Sequence, residues 1–97
     1  MQPRTPAHRA RWKSLGPAPA AAGSRVYKWR YLQVLSGFEA GEWHLSVSSL
    51  RMGTVSDEDL AFVRAEFGMQ DAIEERAHLR RSRVRHLWLP MGMELAS

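Results

Sequence analysis

Cysteine is absent from this 97-residue chain, which excludes disulfide staples, thiolate metal sites and a disulfide-scaffolded secreted domain. No apolar run approaches the roughly 20 residues that cross a bilayer, so no membrane partner is expected. Neither an H-E-x-x-H or H-x3-H spacing nor a G-x-S-x-G elbow occurs, so the short motifs of metalloproteases and serine hydrolases are missing. Acidic residues are missing from the first thirty positions altogether.

That last absence makes the net charge of +4 uneven. Residues 1–30 carry Arg4, Arg9, Arg11, Lys13, Arg25, Lys28 and Arg30, whereas residues 31–97 hold seven Arg against ten Asp or Glu. A basic segment on a mildly acidic body is a pattern of polyanion binders, nucleic acid above all. An acid-free, Arg-rich start also resembles an organelle transit peptide; the location expected for the chain is cytoplasmic. Pro3, Pro6, Pro17 and Pro19 oppose a continuous helix, and the segment ends in an Ala/Pro run. The expected organisation is a basic Pro/Ala-rich arm or linker over 1–24 and a small domain over 25–97, a marginal size for an independent core.

Within the domain, "RVYKWRYLQVLSG" (25–37) alternates as a strand does. "SGFEAGE" reads as a hairpin connection, and "EWHLSVSS" (42–49) puts Trp43, Leu45 and Val47 on one face and His44, Ser46 and Ser48 on the other. Odd positions facing odd would set Leu35 near Trp43 and Tyr31 near Val47, so that the apolar faces coincide. "SDEDLAFVRAEFG" (56–68) is a marked helix: Ser56 suits the N-cap, Asp57, Glu58 and Asp59 suit the positive dipole end, and Leu60, Val63 and Phe67 form one stripe. Residues 69–82 fit either a helix or a strand. "RVRHLWLP" (83–90) closes the domain as a strand, Val84, His86 and Trp88 on one side and Arg85, Leu87 and Leu89 on the other. The fold class is α+β: a small antiparallel sheet, ββαββ or ββααβ, with one helix on the Tyr27/Trp29/Tyr31/Trp43/Leu45/Val47 face and an extended basic arm.

Four chemistries compete for these residues. A serine hydrolase would use His44 with Ser46 or Ser48, which share a face about 6.5–7 Å apart on a strand. It also needs an orienting carboxylate and an oxyanion hole, and a regular strand spends its N–H groups on its neighbours. A metal site would draw on His44 and His86, neighbours if the last strand pairs with residues 43–48, with Glu42 or His78; no ligand spacing supports it. Nucleic-acid binding would use the arm, Lys28 and Arg30 beside Ser46 and Ser48, and a second patch of Arg76, Arg80, Arg81, Arg83 and Arg85. A protein-binding module would use aromatic anchors. Trp29, Trp43 and Trp88 fit a scarce core, which leaves Trp12 as the anchor for a partner groove.

The strand Trp43–His44–Leu45–Ser46–Val47–Ser48, the acidic capped helix and the closing His86–Leu87–Trp88 together resemble a family of small uncharacterised proteins encoded largely by bacteriophages and their hosts. The resemblance spans about residues 40–90. It implies a ββαββ layout with a strand ahead of H-L-W and a phage-type accessory role, and it supplies no activity, cofactor or catalytic residue. The segment "DAIEERAHLRRSR" departs from it, being more charged and more helical. The expectation is therefore a non-enzymatic binding protein. Its nucleic-acid or nucleoprotein contacts are assigned to Arg4, Arg9, Arg11, Lys13, Arg25, Lys28, Arg30, Arg76, Arg80, Arg81 and Arg83. A protein partner or inhibited host enzyme anchored by Trp12 is the alternative, and a small hydrolase a minor one; no cofactor, metal or small-molecule substrate is expected.

Overall fold

Two tight turns organise the sheet. Ala40 and Gly41 both adopt positive φ, +53° and +81°, the requirement of a type I′ two-residue hairpin whose twist matches its strands. They join β3 (Leu32–Glu39) to β4 (Glu42–Ser49). An earlier reversal lies inside the segment expected as one strand. Arg30 takes φ +56°, and Trp29 pairs with Leu32, so residues 25–37 are two strands, β2 (Arg25–Trp29) and the start of β3. No glycine or asparagine marks that turn, and apolar residues alternate on both sides of it, so the break has no local signature.

The computed structural model describes residues 4–17, 23–51, 54–75 and 83–92. Its remaining elements are β1 (Lys13–Pro17), α1 (Asp57–Glu66), β5 (Ile73–Glu75) and β6 (Val84–Pro90). All six strands form one antiparallel sheet in the order β1-β2-β3-β4-β6-β5. The chain is an α+β domain, but its element order is ββββαββ rather than ββαββ or ββααβ. Of the ambiguous 69–82 segment, the described part supplies the short strand β5; residues 76–82 lie outside the described residues.

The extra turn also moves the register. In β3 and β4 an even position faces an odd one: Val34 opposes Val47, Leu35 opposes Ser46 and Phe38 opposes Trp43. The expected pairings of Leu35 with Trp43 and Tyr31 with Val47 are replaced, because the reversal at Arg30 switches which parity points inward. The inner face thus carries Tyr27, Leu32, Val34, Trp43, Leu45, Val47, Leu87 and Leu89, all buried. Tyr31 lies at the turn, partly buried against the core, and donates its hydroxyl to Asp59 Oδ1 on α1 at 3.0 Å.

α1 closes this face much as its sequence implies. Ser56 Oγ accepts from the Asp59 amide at 3.1 Å, three acids occupy the first turn, and Gly68 ends the helix at φ +65°. Leu60, Val63 and Phe67 are buried against the sheet.

The larger correction concerns residues 1–24. Of these, residues 4–17 are no detached arm: β1 extends the sheet along β2, and Trp12 is only 3% exposed. Its ring meets Trp29, Phe62 and Phe67 at centroid distances of 6.1, 6.2 and 5.1 Å. Trp12 Nε1 donates to Glu66 Oε1 at 3.0 Å. Trp12 is thus a core residue of its own domain rather than an anchor for a partner. A domain of about 70 residues has little apolar area to bury, and a large aromatic side chain is a compact source of more.

Candidate nucleic-acid interface

The strand order converts an asymmetry along the chain into one across the molecule. The first acidic residue is Glu39, so β1, β2 and the connecting turn to β3 carry basic charge alone, and they form one edge of the sheet. Apart from Glu66, which is bonded to His8, Arg11 and Trp12, acids gather elsewhere, at Glu39 and Glu42 around the β3–β4 turn, at the helix start, and at Glu74 and Glu75 on β5, the opposite edge. Lys13 and Lys28 are direct cross-strand partners. Two like charges placed opposite one another repel, and no acid lies on either strand to compensate.

The inner side of the same edge holds a groove of about 340 Å³ lined by Thr5, Pro6, Arg9, Trp12, Ser14, Arg25 and Tyr27. Arg9 reaches it from the N-terminal turn and Arg25 from β2. Each guanidinium donates through Nη2 to a hydroxyl, Arg9 to Thr5 at 3.5 Å and Arg25 to Ser14 at 3.3 Å. Among the described residues no carboxylate lines the groove. A bulge between Ser14 and Gly16 leaves Ser14 opposite Tyr27 while Leu15 stays 48% exposed.

The structure separates the expected contact residues. Arg9, Lys13, Arg25 and Lys28 all lie at the β1–β2 edge, Arg9 and Arg25 on its inner side with Tyr27, and Lys13 and Lys28 on the outer face. Arg30 lies beside them at the turn, its guanidinium 4.4 Å from the Trp29 ring. Arg4 and Arg11 are drawn into packing. The Arg4 guanidinium lies 4.5 Å over Trp43, while its carbonyl accepts from Ser36 Oγ at 2.7 Å; Arg11 pairs with Glu66 at 2.8 Å and lies over Trp29 and Phe62. Arg83 is exposed ahead of β6, and Arg85 is committed to Glu74 through two 2.7 Å bonds and to Asp57 at 2.8 Å. Arg76, Arg80, Arg81 and His78 lie outside the described residues. Thr5, Ser14 and Glu66 were not expected to matter. Glu66 had a signal, a carboxylate three residues after Val63 on the buried side of the helix; Ser14 had none, since only the pairing of β1 with β2 brings it to Arg25, and Thr5, four residues from Arg9, lies in a segment without a motif.

The outer sheet face brings the two strand histidines together. His86 is paired with Ser46, and Trp88 with His44, as the pairing of the last strand with residues 43–48 implied. His44 Nε2 and His86 Nδ1 are 2.9 Å apart in a hydrogen bond, and the His44 ring stacks on Trp88 at 3.9 Å. His44 therefore bonds the other histidine rather than Ser46 or Ser48. Burial, then the neighbouring His86 charge, lower its pKa from the ordinary value against weaker opposing effects of Glu39 and Glu75. Among the described residues no group of three or more His, Asp or Glu is placed to hold a metal ion, and no helix is long and apolar enough to cross a membrane.

No family model, curated protein or solved structure matches the chain. The functional reading therefore rests on its own residues.

Proposed function

We propose that this protein is a non-catalytic nucleic-acid-binding domain whose β1–β2 edge holds the phosphate backbone, in a phage- or mobile-element-type accessory role. One observation carries the reading: the acid-free first part of the chain is folded into a single sheet edge, where Lys13 and Lys28 stand opposed. Such an edge attracts a polyanion without reading bases, because lysine and arginine contact phosphates whatever the sequence. Ser48 and Gln33 lie in the same cross-strand row as Lys28 and supply neutral hydrogen-bonding groups beside it. A nucleoprotein is approached through the same charges. The phage-type character rests only on the resemblance carried by the Trp43–Ser48 and His86–Trp88 strands.

The test is an anisotropy titration of a labelled oligonucleotide at several salt concentrations. Four phosphate contacts, by Arg9, Lys13, Arg25 and Lys28, correspond to a log–log slope of about −3.6 for duplex and about −2.8 for a single strand. Lys13→Glu with Lys28→Glu should flatten the slope by about two and weaken binding strongly. A flat salt response would instead favour a protein-only partner and overturn the proposal.

A further inference from the structure

The groove between the N-terminal turn and β2 has properties that general backbone attraction does not require. Its two guanidiniums come from separate elements, and neither has a carboxylate partner among the described residues. An arginine side chain offers five N–H donors, of which each of these uses one, on a hydroxyl. Thr5 and Ser14, accepting from arginine, keep their own O–H protons to donate. Trp12 and Tyr27, both buried, supply an apolar wall that strengthens electrostatics near it. The nearest acid on the Trp12 side, Glu66, is already occupied by His8, Arg11 and Trp12.

We infer that this groove is a binding site for a phosphate ester group, with Arg9 and Arg25 as its cationic clamps and Thr5 and Ser14 as hydroxyl donors. The choice of phosphate rests on the polyanion reading. Chemistry favours it over a carboxylate, because a phosphoryl group has enough oxygens for two arginines and two hydroxyls at once. A volume of about 340 Å³ lies at the lower end of small-ligand sites, roughly 300–1,000 Å³. It leaves room for a sugar attached to the phosphate. That ester belongs either to a nucleic-acid strand or to a small phosphorylated metabolite, a distinction left to the experiment.

The full chain is titrated with inorganic phosphate, with a nucleoside 5′-monophosphate, and with one oligonucleotide bearing a 5′-phosphate or a 5′-hydroxyl. Amide and indole N–H signals are followed by NMR, the Trp12 indole serving as reporter. Saturable shifts at Trp12, Thr5 and Ser14 are expected, about tenfold weaker in Arg9→Ala or Arg25→Ala. Arg9→Lys and Arg25→Lys, which preserve net charge, should not restore affinity. Both arginines are exposed, and unchanged dispersion elsewhere shows that the variants fold. Saturation by the monophosphate but not by the oligonucleotides identifies a small phosphorylated ligand. Saturation by an oligonucleotide identifies a strand, and dependence on its 5′-phosphate places the strand's end in the groove. Lys13→Glu with Lys28→Glu should weaken the oligonucleotide and leave the inorganic phosphate shifts intact. Groove signals unmoved by all four ligands would overturn the inference. Oligonucleotide binding that survives loss of both arginines, with the groove silent, would do so while leaving the β1–β2 proposal standing.

Discussion

Glu66 tests whether the N-terminal segment belongs to the fold. It is the last residue of α1, where the negative end of the helix dipole disfavours a carboxylate, and it is buried. Burial raises its pKa, yet hydrogen bonds from His8 and Trp12 and the charge of Arg11 outweigh this and hold it below the ordinary value. The same residue takes the Ala7 amide on its backbone oxygen at 2.7 Å. Glu66→Ala leaves the buried Trp12 N–H without its acceptor, about 1–3 kcal/mol. The Arg11 pair is partly solvated and adds up to about 1 kcal/mol, and exposed His8 adds little. The expected loss is about 1–4 kcal/mol, a fall in urea midpoint of about 0.5–2 M at a typical m-value of about 2 kcal/mol/M.

Urea melts followed by tryptophan fluorescence measure it, and a cycle with Trp12→Phe, which keeps a ring but removes the donor, isolates the bond. A coupling of about 1 kcal/mol or more is expected. Additivity within about 0.3–0.5 kcal/mol would refute the claim that this bond ties the N-terminal segment to the helix. The sign with pH follows from the lowered pKa: Glu66 contributes stability above about pH 4.5, its unfolded value, and loses it as pH falls through the lower folded value. Glu66→Ala should therefore show a shallower acid loss than the natural chain.

Two further perturbations probe the rest of the fold. Glu74→Gln removes the charge from a doubly bonded pair with Arg85, whose bonds hold the Glu74 pKa down against burial. A loss of about 1–2 kcal/mol by urea melt is expected, with no rescue by Arg85→Lys, which lacks the paired donor geometry. His44 has a lowered pKa, so the unfolded chain takes up a proton first and stability should fall as pH drops below about 6.5. An NMR titration placing the His44 ring at or above 6.5 would contradict this.

How much could be read locally depended on the range of the interactions. α1 was legible to within two residues, because cap, acidic first turn, apolar stripe and terminal glycine act within one or two helical turns. The faces of β4 and β6 were legible for the same reason, since alternation assigns sides without knowing the partner. The turn at Arg30–Tyr31 was not: its residues are untypical of tight reversals, and the strand pairing on either side imposes the positive φ. The error passed to the β3–β4 register, since one reversal exchanges inward and outward positions. Of the candidate interface, Arg9, Lys13, Arg25 and Lys28 were identifiable as basic residues; that they form an edge and a groove while Arg4 packs on Trp43 and Arg11 pairs with Glu66 was not.

The sequence by itself determined the α+β class, the helix and its cap, the absence of disulfides, and a first part of the chain without acids. Each follows from composition or from contacts a few residues apart. Tertiary structure alone decided that residues 4–17 join the domain, through Trp12 and Glu66, 54 residues apart. It also decided that β1 and β2 lie at one edge and the acids of β5 at the other. Those outcomes follow from strand pairing and from the apolar area that Trp12 adds to a small core, and neither is encoded in any short window.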